Sequence, residues 1–179
     1  MTPRRLALVA LVAVVVFVLD RVTKIAVEST LAVGASVDVL GEWVRTSHVT
    51  NSGAAFGLLP ERTTFLSILS VAAVFAIVFH YRRLAADSRL IAVTLGMQLG
   101  GAFGNLVDRI RQGYVVDFVD VGIPGGLRFW SFNVADSSIV VGIIGVTVLL
   151  WFQERARSGV AATRETVSRE RVSSAEPRE

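Results

Sequence analysis

The sequence contains no cysteine and only two histidines, His48 and His80, among its 179 residues. Without cysteine the chain has no disulfide, no thiolate nucleophile and no cysteine-ligated metal. Neither histidine has a second one at ligand spacing, so the H-E-x-x-H pattern of zinc proteases is absent. The sequence also shows no RNA-binding or DNA-binding motif, and we expect no nucleic-acid partner.

Charged residues are scarce as well, at 18% of the chain, whereas 53% of the residues are hydrophobic. With a mean hydropathy of +0.59, this is the composition of a membrane protein. Crossing about 30 Å of hydrocarbon takes about 20 apolar residues. Four stretches approach that length, at about residues 6–27, 65–81, 90–107 and 134–152. The sequence therefore predicts an all-α integral membrane protein with four transmembrane helices.

The first apolar stretch has a second interpretation. Arg4 and Arg5 precede it, as basic residues precede the apolar core of a cleaved signal peptide. No A-x-A cleavage site follows, and Lys24 interrupts the region where one would lie. A membrane span is the favoured interpretation.

Arginines flank the apolar stretches unevenly and account for most of the pI near 10.2. By the positive-inside rule, both termini and the middle loop are predicted to be cytoplasmic. Residues 28–64 and 108–133 are then extracytoplasmic. Arg109, Arg111 and Arg128 depart from the pattern but are balanced by nearby acids. The arginines that set this orientation are Arg4, Arg5, Arg82, Arg83, Arg89, Arg155 and Arg157.

Two segments outside the predicted spans have compositions of their own. Residues 37–50 are rich in Val, Thr and Trp and predict a short hairpin or small sheet. This β-rich piece must lie at or above the membrane interface, because a sheet edge cannot face hydrocarbon. Residues 154–179 alternate Arg and Glu with Ser and Thr and predict a disordered cytoplasmic tail. The membrane domain is expected to be residues 1–153.

Two acids, Asp117 and Asp136, lie beside apolar segments and suggest a functional site. A charge in hydrocarbon costs roughly 2.5 to 3.5 kcal/mol on insertion scales, so an ionisable residue there is a functional hypothesis. Asp136 also has a structural explanation, because Asn133 and an acid three residues later form a good helix N-terminus. Asp117, between two pairs of apolar residues, has no comparable explanation. Burial would raise its pKa and let the two carboxyls share one proton.

Other polar residues have structural explanations that remain open at this point. Asp20 and Lys24 are spaced as an intrahelical ion pair. Asn51 is a typical turn residue. Asp108 and Arg109 share a helical face with Asn105, where a salt bridge at a helix end would explain them.

Five polar motifs follow one another along the chain: DRVTK (20–24), NSGAAF (51–56), GGAFGNLVDR (100–109), VVDF (115–118) and FNVADSS (132–138). Their order and spacing resemble those of the lipoprotein signal peptidase family, also called signal peptidase II, over about residues 5–153. The resemblance implies a four-helix aspartyl endopeptidase of the bacterial cytoplasmic membrane. Such an enzyme removes the signal peptide of diacylglyceryl-modified prolipoproteins by cleaving before the lipidated cysteine.

The resemblance also implies partners and site residues. The partners are the modified prolipoprotein signal peptides, the phospholipid bilayer and globomycin-type inhibitors, and no metal or other cofactor is implied. We expect a monomer, since four spans can enclose one site. Asp117 and Asp136 correspond to the catalytic dyad, toward the extracytoplasmic face, with Asp136 expected as the base. The supporting residues are Asp20, Lys24, Asn51, Gly53, Asn105, Asp108, Arg109 and Asn133.

Within this assignment, Asp108 competes for a place in the dyad but ranks as structural, because it can pair with an arginine. The three asparagines are expected to donate to peptide carbonyls of the substrate. The sequence departs from the family pattern in its loops and first motif: Arg21 replaces the usual Gln, and GGLRFWS at 125–131 lacks the frequent Pro.

Two other functions are compatible with the residues. In the first, Asp108, Asp117 and Asp120 are grouped as ligands of Mg²⁺ in a phospholipid head-group enzyme. In the second, buried acids relay protons in a small membrane transporter.

Overall fold

The computed structural model describes residues 2–53, 63–84 and 88–175. These residues form four helices and a small sheet, in the order α1 (Pro3–Thr30), β1 (Ser36–Asp38), β2 (Val44–Asn51), α2 (Thr63–Leu84), α3 (Arg89–Gln112), β3 (Val115–Val121) and α4 (Val134–Ala175). Three helical segments within them are long and apolar enough to cross a membrane: α1, α3 and Val134–Ala156 of α4. A mostly helical membrane fold with a small sheet is thus confirmed. Helix α2 coincides with the second predicted stretch, and that it also crosses the membrane remains a prediction.

Helix α3 is the centre of the bundle and packs against α1, α2 and α4. In the apolar 18-residue segment of α3, 67% of the residues are buried inside the protein, against 17% in the corresponding segments of α1 and α4. Glycines permit this close packing. A Cβ at Gly100 would lie 2.5 Å from the carbonyl oxygen of Ala13 on α1, and one at Gly101 would lie 2.9 Å from Cγ1 of Ile139 on α4. The glycines of α3 therefore bring the backbones of α1 and α4 together around it.

The sheet is antiparallel, in the order β1-β2-β3, and includes the hairpin predicted at residues 37–50. Thr46 pairs with Val119 and Val49 pairs with Asp117, so β2 carries one extra residue between them. Such a bulge increases the local twist of a strand.

The sheet is attached directly to the ends of the helices. Gly113, with φ of +81°, ends α3 in the left-handed conformation and turns the chain into β3. At the other side, the backbone N–H groups of Phe118 and Val119 donate to the carbonyl of Phe132, just before α4 begins. The end of α3, the middle of β3 and the start of α4 therefore lie together.

Helix α4 continues past residue 153, where the sequence predicts that a disordered tail begins, to Ala175. Its last part is rich in Arg, Glu and Ala, which are good helix formers. Extending an existing helix also avoids the cost of nucleating a new one. The cytoplasmic location of this segment stays a prediction.

Candidate active site

Asp117 and Asp136 line the same cavity, which has a volume of about 410 Å³. Asp117 lies in β3 and is only 2% exposed, whereas Asp136 lies in the first turn of α4 and is half-buried. Alternation along β3 explains the direction of Asp117. Val116 and Phe118 pack in a core cluster with Val27 of α1, so the residue between them points the other way, into the cavity.

Both oxygens of the Asp117 carboxyl accept hydrogen bonds from asparagines. Asn133 Nδ2 donates to Oδ1 at 2.7 Å, and Asn51 Nδ2 donates to Oδ2 at 2.9 Å. Burial nevertheless raises the pKa of Asp117 to about 7, and the negative charge of Asp136 adds to the increase. The two asparagine hydrogen bonds, and the more distant charge of Lys24, act in the opposite direction. This carboxyl can therefore hold or release a proton near neutral pH.

Asp136 is held by the helix that carries it and by α3. Asn105 Nδ2 donates to Oδ1 of Asp136 at 2.7 Å, and the backbone N–H of Asn133 donates to Oδ2 at 3.3 Å. In return, the N–H of Asp136 donates to Oδ1 of Asn133 at 2.9 Å. This reciprocal pair caps the N-terminus of α4 as the sequence predicts. Capping and a place in the cavity are thus compatible roles for Asp136.

A fully buried ion cluster supports this arrangement from α1. Lys24 Nζ lies 2.8 Å from Oδ2 of Asp20, 2.6 Å from Oδ2 of Asp108 and 2.9 Å from Oδ1 of Asn105. Arg21 also pairs with Asp108. Lys24, Asp20 and Asp108 are at most 1% exposed, and none of them is among the described residues that line the cavity. The structure therefore groups these three charges next to Asn105 and outside the described lining of the cavity.

Asp20 also connects α1 to the start of α4. Its Oδ1 accepts a hydrogen bond from the backbone N–H of Ala135 at 3.0 Å, one of the helix N-terminal groups that lack a partner inside the helix. A Cβ on Gly104 of α3 would lie 2.5 Å from Oδ2 of Asp20, so glycine is required for the approach.

Among the described residues that line the cavity, Arg109 is the single cation. Its guanidinium donates weakly to the carbonyl oxygens of Gly53, at 3.4 Å, and Asn105, at 3.5 Å. Its Nε is buried without a hydrogen-bond partner in the described part of the chain. Gly53 in turn donates its N–H to Oδ1 of Asn51 at 2.9 Å. Arg109 therefore holds a donor group beside the two acids.

The apolar wall of the cavity was not predicted from the sequence. It includes Phe129 and Trp130 before α4, and Val140 and Val141 on α4. The helical spacing from Asp136 to Ser137, Val140 and Val141 contained this information, because these residues share one side of α4. The aromatic pair offered no comparable signal, since its position depends on the loop that precedes α4.

The three acids proposed for a magnesium site do not converge. Asp108 pairs with Lys24 and Arg21, while Asp120 pairs with Arg128 at 2.8 Å. Within residues 2–53, 63–84 and 88–175, no group of three or more histidines and acids has the arrangement of a metal site. The specific ligand set of that alternative is therefore absent from the described site.

Comparison with known proteins adds the family. The sequence model of a family described as Signal peptidase (SPase) II matches residues 12–152. Lipoprotein signal peptidase of Halothermothrix orenii is 36% identical over 150 residues, which cover 83% of this chain and 98% of that protein. The same-named protein of Moorella thermoacetica is 39% identical over 142 residues, covering 79% and 89% of the two chains.

The fold is shared too. A solved structure described as a bacterial membrane enzyme has a TM-score of 0.76 and 34% sequence identity, covering 82% of this chain and 88% of the other. The sequence match, over residues 12–152, includes the ion cluster, the asparagines and the two cavity acids. The resemblance seen in the five motifs is thus confirmed, and the chain belongs to the signal peptidase II family.

Proposed function

We propose that this protein is an aspartyl endopeptidase whose dyad is Asp117 and Asp136. Its substrates are diacylglyceryl-modified prolipoproteins, which it cleaves before the lipidated cysteine. The observation that carries the proposal is the shared support of the two acids: Asn133 donates to Asp117 and exchanges hydrogen bonds with Asp136. One residue therefore fixes both carboxyls at the wall of one cavity.

The mechanism follows from the different surroundings of the acids. Asp136, at a helix N-terminus and in contact with the Asn105 amide, begins as the carboxylate. Asp117 begins protonated, because burial and the charge of Asp136 raise its pKa to about 7. A carboxylate and a carboxylic acid at one cavity are the two partners that general acid-base hydrolysis of a peptide requires.

In the first step, Asp136 removes a proton from water as the water oxygen bonds to the scissile carbonyl carbon. Asp117 gives its proton to the carbonyl oxygen, which yields a neutral gem-diol. The C–N bond then breaks, the leaving nitrogen takes the proton from Asp136, and a hydroxyl of the gem-diol returns a proton to Asp117. Both acids end in their starting states. Such assistance contributes roughly 10²- to 10⁴-fold to a rate.

The three asparagines contact the two acids directly. Their amide nitrogens donate to the dyad, from Asn51 and Asn133 to Asp117 and from Asn105 to Asp136. We therefore assign them to holding the acids rather than to binding substrate carbonyls. Arg109, the cation among the described residues that line the cavity, is the better placed donor for a substrate carbonyl.

The substrate reaches the site from the bilayer. Val140 and Val141 line the cavity and are each 54% exposed on α4, so the cavity has an apolar side on the surface that faces lipid. Phe129 and Trp130, also more than half exposed, border the cavity near the sheet. A signal helix that slides in from the membrane would meet the acids with its scissile bond near the interface, while its diacylglyceryl chains stay against apolar surface.

The remaining parts of the proposal concern location. We place the protein in the bacterial cytoplasmic membrane as a four-span monomer with α2 as the second span. Both termini are cytoplasmic, and the sheet and dyad face the extracytoplasmic side, as the arginine distribution predicts. Globomycin-type inhibitors would occupy the same cavity.

The direct test incubates the purified protein in detergent with a synthetic diacylglyceryl prolipoprotein peptide and reads the product by mass. Wild type should release the signal peptide, and globomycin should block the release. Asp117→Asn and Asp136→Asn should each lose activity, whereas Asp38→Asn, at a half-exposed acid of the sheet, should not. Cleavage by either dyad variant near the wild-type rate, or no cleavage by wild type, would refute the proposal.

A further inference from the structure

Among the described residues, Asn105 is the one that contacts both the side chain of Lys24 and a carboxyl of the dyad. Lys24 Nζ donates to Oδ1 of Asn105 at 2.9 Å, and the amide nitrogen of the same asparagine donates to Asp136 at 2.7 Å. An ammonium group donates and cannot accept. If the amide were reversed, its NH₂ would face the ammonium and its oxygen would face the carboxylate. The buried Lys24 therefore favours the amide orientation in which Asn105 donates to Asp136.

The other two asparagines at the site are oriented differently. Oδ1 of Asn51 accepts from the backbone N–H of Gly53, and Oδ1 of Asn133 accepts from the backbone N–H of Asp136. Backbone donors remain when a side chain is replaced. Oδ1 of Asn105 has Lys24 as its close donor, with Asn133 Nδ2 farther away at 3.3 Å. Its orientation is thus the one that a side-chain substitution can change.

We propose that Lys24 is a positioning residue that, by orienting the Asn105 amide, keeps Asp136 as the ionised member of the dyad. An amide that donates to a carboxylate stabilises its charged form, and a reversed amide would instead accept a hydrogen bond from the O–H of the neutral acid. Lys24 thereby determines which acid starts as base. This inference rests on the proposed aspartyl mechanism and adds the origin of its asymmetry.

The other charges around Asp136 do not replace this contact. Arg109 on α3 and Asp117 on β3 line the cavity beside it. The charge of Lys24 itself is matched by two close carboxylates, Asp20 at 2.8 Å and Asp108 at 2.6 Å. Arg21, also on α1, is engaged with Asp108. Lys24 therefore contacts Asp136 through the asparagine that both side chains touch, in addition to the attraction of its charge.

The test compares two substitutions in the same ion cluster. Lys24→Met removes the contact with Asn105. Asp108→Asn breaks the pairs with Lys24 and Arg21 but leaves the contact between Lys24 and Asn105, so it is the matched control. The acid limb, where kcat/KM rises with pH as the base ionises, should lie about one pH unit higher in Lys24→Met than in wild type. At a given pH on that limb, this shift is a tenfold loss of rate. Asp108→Asn should lower thermal stability and leave the limb in place.

A second pair of variants separates positioning from folding. Lys24→Met combined with Asp108→Asn removes one positive and one negative charge, so the cluster keeps its net charge; this variant should be more stable than Lys24→Met and show the same shifted limb. Lys24→Gln keeps a neutral donor toward Asn105 and should move the limb less. An unchanged limb in the double variant and in Lys24→Met, with rates that follow only the folded fraction, would overturn the proposal.

A double-mutant cycle tests the route through Asn105. In an Asn105→Ala background, Lys24→Met should move the acid limb less than it does in the wild-type background, because the intermediate amide is gone. Equal movement with and without Asn105 would overturn it. Wild type and Asp117→Asn, assayed on the same peptide, separate failure of the proposed function from failure of the role of Lys24. Lack of cleavage by wild type refutes the proposed function. Normal cleavage by wild type, with an acid limb that does not shift in Lys24→Met, refutes only the role of Lys24.

Discussion

Asn133 donates its side-chain amide to Oδ1 of Asp117 at 2.7 Å, while its own Oδ1 caps the helix that carries Asp136. The two functions of this side chain can be separated. Asn133→Ser should keep the cap through its hydroxyl but lose the donor to Asp117, so activity should fall by about 10²-fold with little loss of stability. Asn133→Ala should lose both, with a further cost of about 1 kcal/mol in stability. Cleavage assays and thermal unfolding of both variants give the comparison; equal stability of the two would contradict the capping role.

The raised pKa of Asp117 predicts how activity depends on pH. Burial, joined by the charge of Asp136, raises it to about 7, and an acid catalyst must be protonated. The value of kcat/KM should therefore fall as pH rises through about 7. Asn51→Ala removes a hydrogen bond that lowers this pKa, so its basic limb should lie at higher pH than that of wild type. Cleavage rates measured on both sides of neutrality decide, and an unchanged basic limb would show that another group controls it.

The same group predicts a pH dependence of stability. The Asp117 carboxyl releases its proton near 3.8 when unfolded but near 7 when folded, so between these values the unfolded state binds fewer protons. The contribution of this group to the free energy of unfolding is greatest below this window and falls as pH rises through it, by at most about 1.4 kcal/mol per pH unit. Asp117→Asn, which does not ionise, should lose this slope and be the more stable protein above pH 7. Parallel melting curves of the two proteins across the window would contradict the assignment.

Helix packing predicts an effect of a single methyl group on α3. A Cβ at Gly101 would press on the carbonyl oxygen of Ala135 and lie 2.9 Å from Cγ1 of Ile139. Gly101→Ala should therefore push the first turn of α4, with Asp136, away from α3. We expect a destabilisation of about 1 to 3 kcal/mol and a loss of activity beyond the unfolded fraction. Gly126→Ala, whose Cβ would have neighbours no nearer than 3.6 Å, is the control that should change neither.

The residues show why part of the site was predictable and part was not. Asp117 stood out because an acid between apolar pairs in a strand has no local explanation, and β3 does turn it away from the core formed by Val116 and Phe118. Its proximity to Asp136 depends on pairing between β2 and β3 and on the start of α4, which no local pattern contains. The family resemblance supplied the pairing of the two acids before the structure did.

Lys24 illustrates the same limit. Its spacing from Asp20 predicts an intrahelical pair, and that pair is present. Its contacts with Asn105 and Asp108 arise because glycines such as Gly100 let α1 and α3 approach closely, which spacing along one helix cannot show. In the tail, local polarity suggests disorder, whereas continuity with α4 favours the helix that extends to Ala175.

The absence of cysteine allows the membrane orientation to be tested with single introduced thiols. Val37, 54% exposed in β1, is predicted to be extracytoplasmic, and Ser158, exposed on the last part of α4, is predicted to be cytoplasmic. In spheroplasts, a membrane-impermeant maleimide should label Val37→Cys. It should leave Ser158→Cys unlabelled until the cytoplasmic membrane is permeabilised. Thr2→Cys should behave like Ser158→Cys, because both termini are placed on one side by the arginines. Labelling of Val37→Cys only after permeabilisation of the membrane would show the opposite orientation. The dyad would then lie on the cytoplasmic side, where a signal peptide exported before processing would not meet it.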